Sequence, residues 1–220
     1  MMESVIISFV GIDGSGKSTL AEKTYENLLK KNKKVKLVYG RFVPFLSKIA
    51  MKMGRKIFLA KRLENETYEN YLDNKKEILK KKSMLAKIYI NLIIFEYIFE
   101  VFFKIILPKK MGQNIITDRY VYDTIINDIA IDMGLNVNEV NMLLKKFWKI
   151  LPRPDIAFFI DIPAEIAFKR KNDIPSINFL TIRKNLYDNI EGDEKIKLDG
   201  TLELEKLEKI VNLSIEKIGL

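Results

Sequence analysis

Apolar residues along the chain switch repeatedly between two spacings. Residues 5–9 (Val-Ile-Ile-Ser-Phe) form a β-branched, almost wholly apolar run, the pattern of a strand covered on both faces. Residues 17–31 change to helical spacing: Leu20, Tyr25, Leu28 and Leu29 can share one face, while Glu22, Lys23, Glu26, Lys30 and Lys31 fall mostly elsewhere. Asn32-Lys33-Lys34 marks a turn, and residues 35–39 (Val-Lys-Leu-Val-Tyr) a second strand. Residues 42–82 place apolar side chains at helical intervals, broken by Gly54 and by the polar stretch 64–69, and predict two or three helices with a mobile tip near Asn65. Residues 83–108 predict one long apolar helix on which Glu96, Glu100 and Lys104, at i, i+4 and i+8, form a single polar stripe along an exposed edge.

Beyond Gly112 the alternation resumes. A short strand over 114–117 (Asn-Ile-Ile-Thr) runs into Asp118-Arg119-Tyr120, and helices are predicted over 122–132 and 138–150, separated by Gly134. Leu151-Pro152-Arg153-Pro154 forces an extended approach to a buried strand over 156–160 (Ile-Ala-Phe-Phe-Ile), which ends in Asp161. Pro163 opens a helix carrying Lys169, Arg170 and Lys171; 172–178 predicts a flexible loop, 179–190 a helix, 196–198 a last short strand and 202–218 a closing amphipathic helix. Five strands alternating with helices imply a parallel sheet wrapped on both faces. A chain of 220 residues with 48% hydrophobic content suits one such domain over residues 1–220.

Composition narrows the chemistry. The chain has no cysteine and no histidine, which removes disulfides, thiolate nucleophiles, zinc sites and histidine-centred base catalysis; a metal here is expected to be magnesium held by oxygen. The net charge of +9 suits a partner rich in phosphate, but the lysines are dispersed rather than gathered in a stripe, so no nucleic-acid surface is expected. The most membrane-like stretch, 88–107, carries Glu96, Glu100 and Lys104 and predicts a buried helix rather than a span, and no membrane partner is expected. The first strand begins within a few residues of the N-terminus, with no signal-peptide pattern, and the expected location is the cytoplasm.

Between the first strand and first helix lies Gly11-Ile12-Asp13-Gly14-Ser15-Gly16-Lys17-Ser18-Thr19, the spacing of a phosphate-binding P-loop. Gly14 and Gly16 permit backbone conformations closed to other residues, so that successive N–H groups can turn inward around a phosphate at the positive end of the helix. Lys17 is then placed to bridge β- and γ-phosphate oxygens and Ser18 to ligate magnesium. Asp118, an acidic residue closing a hydrophobic strand, is a candidate second magnesium-linked carboxylate, and Arg119 beside it can reach phosphates. In open α/β sheets ligands sit beyond the carboxyl ends of the strands, which adds Tyr39 and Arg41 by position.

Three segments, GIDGSGKST, TDRY and PDIAFFIDIPAEIAFKRK, resemble the thymidylate kinase family of P-loop nucleoside monophosphate kinases. The resemblance implies a P-loop NTP hydrolase-like three-layer sandwich, with a five-stranded parallel sheet, helices on both faces and a short lid at about 169–180; the region at about 42–82 is a variable helical insertion. It further implies transfer of the γ-phosphoryl group of ATP to dTMP with Mg2+, a small-molecule nucleotide as the substrate, and a possible homodimer. Carried over by residue, Lys17 contacts the transferring phosphate and Ser18 the metal. Asp13 faces the acceptor, Asp118 and Arg119 lie between the two phosphate groups, and Arg170 starts the lid beside the adenine. Gly11, Ile12, Ser15 and Thr19 complete the P-loop around ATP; Arg41, by its position after the second strand, and Tyr120 are candidates on the acceptor side that the resemblance does not assign.

The chain departs from the family where the acceptor binds. Tyr39-Gly40-Arg41-Phe42 stands where the family has Arg-Glu-Pro-Gly, an expected mid-helix arginine falls near Glu96 and Tyr97, and a small-residue run ending in an aromatic is replaced by Asp123, Thr124, Ile126 and Asn127. Phe95 is a candidate to stack on a base, with a core position as its alternative. Two other functions stay open: a P-loop kinase of another acceptor (another nucleotide, a nucleoside or a small metabolite, with Asp123 or Glu96 as an unusual base), and an NTP-dependent regulatory protein.

Overall fold

In the computed structural model the described residues are 4–44, 83–171 and 173–220, with residues 83–90 described as backbone alone. The helices predicted within 42–82, and the tip near Asn65, lie outside them apart from Phe42, Val43 and Pro44, which have no regular structure. Five strands form the sheet: β1 (Ile6–Val10), β2 (Val35–Tyr39), β3 (Asn114–Asp118), β4 (Ile156–Asp161) and β5 (Lys195–Asp199). All pairings are parallel, in the order β2-β3-β1-β4-β5.

This order explains which strands are apolar throughout. β1 lies between β3 and β4, and all five of its residues are buried. Its side chains alternate between two cores, Ile6 and Val10 on one face, Ile7 and Phe9 on the other. Its one polar residue, Ser8, is satisfied there: its hydroxyl accepts a 2.9 Å hydrogen bond from the Thr117 hydroxyl of β3. The edge strands β2 and β5 are mostly half-exposed, which is why their sequences only partly alternate.

Helices cover both faces. On one side α1 (Lys17–Lys30) and α9 (Leu204–Glu216) bury Leu20, Ala21, Leu28, Leu207, Val211 and Ile215 against Ile7, Phe9, Ile116 and Phe158. The larger core on the other side is built by α2 (Ser83–Val101), α4 (Val121–Thr124), α5 (Ile131–Met133), α6 (Val137–Phe147), α7 (Ala164–Arg170) and α8 (Ile177–Asp188), while the short α3 (Leu107–Lys110) between α2 and β3 adds nothing to it. α6 starts with a capping box, in which the Asn136 side chain accepts from Glu139 N and the Glu139 carboxylate from Asn136 N.

Three expectations change. The helices predicted over 83–108 and 122–132 are each interrupted by a π-helical turn, Phe102–Ile106 between α2 and α3 and Ile125–Ala130 between α4 and α5. The apolar helix is also not buried all round. Ile93, Tyr97, Val101 and Ile105 enter the core, whereas Phe95, Phe99, Phe102 and Phe103 are exposed, Phe95 at 66%. The polar stripe is no free edge either: Glu96 is buried, and Glu100 accepts from Val43 N at 3.1 Å and pairs with Lys104. No helix among the described residues is long and apolar enough to cross a membrane.

Phe9 and Phe158 stack with ring centroids 5.3 Å apart in the middle of the sheet, both fully buried. Phe158→Ala is expected to cost about 3–5 kcal/mol in a urea unfolding curve with an unchanged slope.

Candidate active site

Parallel pairing brings the carboxyl ends of β1, β2 and β3 to one edge, where Asp118 is in register with both Phe9 and Tyr39. The chain leaves β1 into the P-loop, with Gly11 at φ 152°, Gly14 at φ 83° and Gly16 at φ 91°. Gly14 also needs its missing side chain for space: a Cβ there would lie 2.4 Å from the Ala167 carbonyl oxygen of α7. Gly16 caps α1 in a left-handed conformation with no side-chain cap bond, so the first N–H groups of this helix are available to an anion.

Lys17 is almost fully buried at the floor, its Nζ 2.9 Å from the Ile12 carbonyl oxygen and 3.6 Å from Asp13 Oδ1. Burial, and then the Arg119 charge, lower its pKa, opposed by Asp123, Asp13 and Asp118. Ser18 and Thr19 are exposed at the mouth. Gly14 to Thr19, Arg119, Arg170 and Lys171 line an open cleft of about 490 Å³ together with Gly200, Leu202, Leu204 and Leu207. Its lining combines cations with apolar side chains, the combination that suits a polyphosphate joined to a flat base. Arg170 donates from Nη1 to the Gly200 carbonyl at 3.2 Å.

Arg119 is the second focus. It follows β3 in a left-handed backbone conformation at φ 69°, unusual for a residue with a side chain. Gly40 permits this close passage, because a Cβ on it would lie 2.5 Å from the Arg119 carbonyl oxygen. The guanidinium pairs through Nη2 with Asp13 and lies with Nη1 3.5 Å from Asp123 Oδ1. Burial works against the Arg119 charge, yet Asp123 and Asp13 outweigh it and push the pKa up. For Asp13, burial raises the carboxyl, but Lys17 and Arg119 prevail and hold it well below the usual carboxylate range.

Three buried polar atoms here have no partner among the described residues: Ser15 Oγ, Asp118 Oδ1 and Arg119 Nε. Leaving such atoms unmet costs free energy, so they suit a site that is completed by a ligand. No described cluster of three acidic side chains could cage a metal alone.

Of the remaining predicted site residues, Arg41 is clamped by Asp128, donating from Nε at 3.0 Å and Nη2 at 2.6 Å. Burial opposes its charge, but the Asp128 carboxylate offsets this and raises its pKa. Tyr120 is fully buried, its hydroxyl donating to the Pro152 carbonyl at 3.0 Å and its ring against Trp148. Phe95 is not the core residue offered as its alternative, and it does not line the cleft. Sequence reasoning missed Gly40, Asp128 and Tyr187, whose partners lie far away along the chain.

A parallel sheet in this order, a P-loop after its central strand and an Asp-Arg pair after the next are consistent with a P-loop kinase fold. The chain is 29% identical to a probable thymidylate kinase of Sulfurisphaera tokodaii over 215 residues, covering 94% of each protein. It is 29% identical to one of Sulfolobus acidocaldarius over 178 residues (79% of this chain, 73% of the relative), and 26% identical to a thymidylate kinase of Leptospira borgpetersenii over 209 residues (89% and 85%). No family model matches the chain. The chain is a divergent, thymidylate kinase-like protein.

Gly14→Ala is expected to weaken ATP binding by about tenfold or more, through backbone strain of about 1–3 kcal/mol and the collision with Ala167. Gly112→Ala, with a similar positive φ but open space around it and away from the cleft, should lower stability and leave ATP affinity unchanged in calorimetric titration.

Proposed function

We propose that the protein is an ATP-dependent thymidylate kinase, a nucleoside monophosphate kinase that transfers the γ-phosphoryl group of ATP to dTMP, giving dTDP and ADP. The observation that carries this reading is Arg119, fixed between two carboxylates at the inner end of a cleft whose floor is the P-loop. The names of the relatives that match most of the chain support it.

In this reading the P-loop N–H groups and Lys17 would hold the donor phosphates, Ser18 and Asp118 would hold Mg2+, and Arg170 with the apolar lining of the cleft would receive the adenine. Magnesium, when bound, neutralises charge on the donor phosphates. Arg119 faces the space between donor and acceptor, where a fixed cation offsets charge gathering on the transferred group. Asp13 and Arg41 stand on the acceptor side. A phosphate acceptor is already an anion and needs no general base. This agrees with the state of Asp123, the unusual base considered for a hydroxyl acceptor: it is fully buried and both of its oxygens are engaged. The reading includes a single kinase domain over 1–220 with a lid at about 169–180, a cytoplasmic location, and a homodimer for which the exposed Phe95, Phe99, Phe102 and Phe103 offer apolar surface.

The test is coupled ADP release with Mg-ATP and each ribo- and deoxyribonucleoside monophosphate in turn, with Lys17→Ala as the blank. Turnover is expected with dTMP above all others, and to fall by orders of magnitude in Lys17→Ala. Turnover with another acceptor alone would overturn the thymidylate assignment and keep the kinase. For Arg119→Ala, a loss of kcat larger than any loss of ATP affinity is expected; a change in ATP affinity alone would make Arg119 a ground-state contact.

A further inference from the structure

Beside Arg119, and outside the lining of the cleft, lies a set of buried polar side chains that the phosphoryl-transfer roles do not use. Asp123 is fully buried, and its Oδ1, 3.5 Å from Arg119 Nη1, accepts a 2.8 Å hydrogen bond from the Tyr187 hydroxyl of α8. Its Oδ2 accepts from Tyr120 N at 3.3 Å. Asn127, within the π-helical turn, donates from Nδ2 to the Tyr187 oxygen at 2.8 Å and to the Asp123 carbonyl at 3.0 Å. Its Oδ1 accepts from Nε of Arg183, a buried residue one turn back on α8 that also donates to the Phe179 carbonyl and lies over the Phe179 ring.

Core packing alone does not explain this set. A buried carboxyl, amide and guanidinium each carry a desolvation cost that apolar side chains of the same size avoid. What a fully bonded polar network supplies in return is fixed orientation. Arg119 needs that, because Asp13 contacts one Nη and leaves the guanidinium plane free to turn about that contact. A second carboxylate on the other Nη defines the plane, and Asp123 can serve only if it is itself held. Burial raises the pKa of the Tyr187 hydroxyl well above its usual range, so it remains a donor throughout the working pH.

We propose that Asp123 and Tyr187 are positioning residues for Arg119: the Tyr187 hydroxyl, held by Asn127 and Arg183, fixes the Asp123 carboxylate, which fixes the guanidinium plane facing the transferred phosphoryl group. The catalytic consequence rests on the kinase reading above. Mechanically, α8 is thereby tied to the end of β3 through hydrogen bonds as well as through the core.

The test is Tyr187→Phe, which removes one oxygen and keeps the ring. The expected result is a fall in kcat of about tenfold to a hundredfold, in the range for losing a hydrogen bond to a charged group, with KM for ATP within about twofold of the wild type. Asp123→Asn should fall as far or further. In an Arg119→Lys background Tyr187→Phe should have almost no additional effect, because the two changes act through one group. Equal losses in both backgrounds would overturn the proposal. Independently of any acceptor, arginine-selective 15N spectra, with Arg119 assigned through Arg119→Lys, should show separate Nη signals for a guanidinium with hindered rotation, merging in Tyr187→Phe. An unchanged Arg119 spectrum would also overturn it. A wild type inactive on dTMP would defeat the function reading, while the spectra still decide the positioning claim.

Discussion

One cation held between two carboxylates organises the functional end of this molecule. Arg119 leaves β3 in a left-handed conformation, and its guanidinium meets Asp13 from the P-loop on one side and Asp123 on the other. The contact fixes where the P-loop sits relative to the third strand and where α4 begins. It also raises the charge density of the cleft without leaving a loose side chain, since both carboxylates work to keep the arginine protonated despite burial. On the proposed function, a phosphoryl group arriving there would meet a donor whose orientation is settled during folding, leaving little reorganisation for the moment of reaction.

The surrounding backbone is shaped for close approach. Gly14 passes against the Ala167 carbonyl and Gly40 against that of Arg119, so α7 and β2 press on the site from two directions. The sheet supplies the stiffness for this: β1 and β3 are paired along their length, and their ends deliver the P-loop and the Asp-Arg pair to the same edge. The unpartnered Ser15, Asp118 and Arg119 atoms carry a cost in the free protein that a ligand able to hydrogen-bond with them would relieve.

Much of this was legible in the chain, for local reasons. Strands buried on both faces write themselves as continuous apolar runs, as in Ile6–Val10 and Ile156–Asp161, and the P-loop is contiguous in sequence. The two π-helical turns were not legible, because an inserted residue shifts the register by less than the periodic pattern resolves. The stretch 88–107 reads as all core because its exposed face is also apolar: Phe95, Phe99, Phe102 and Phe103 look like core by composition and are set outside by the packing of Tyr97 and Val101. The partner of Arg41 is not readable locally, since Asp128, which clamps it, lies 87 residues away. Tyr187 gave no signal for the same reason, standing 64 residues from Asp123.

The central claim is that donor and acceptor phosphates meet in front of Arg119. Calorimetric titration with an adenosine–thymidine analogue joined through five phosphates tests it directly. The account predicts binding at least about a hundredfold tighter than ATP alone, because one molecule fills both subsites at high effective concentration. Most of that gain should be lost in Arg119→Ala. An analogue that binds no tighter than ATP, or equally well to Arg119→Ala, would contradict it.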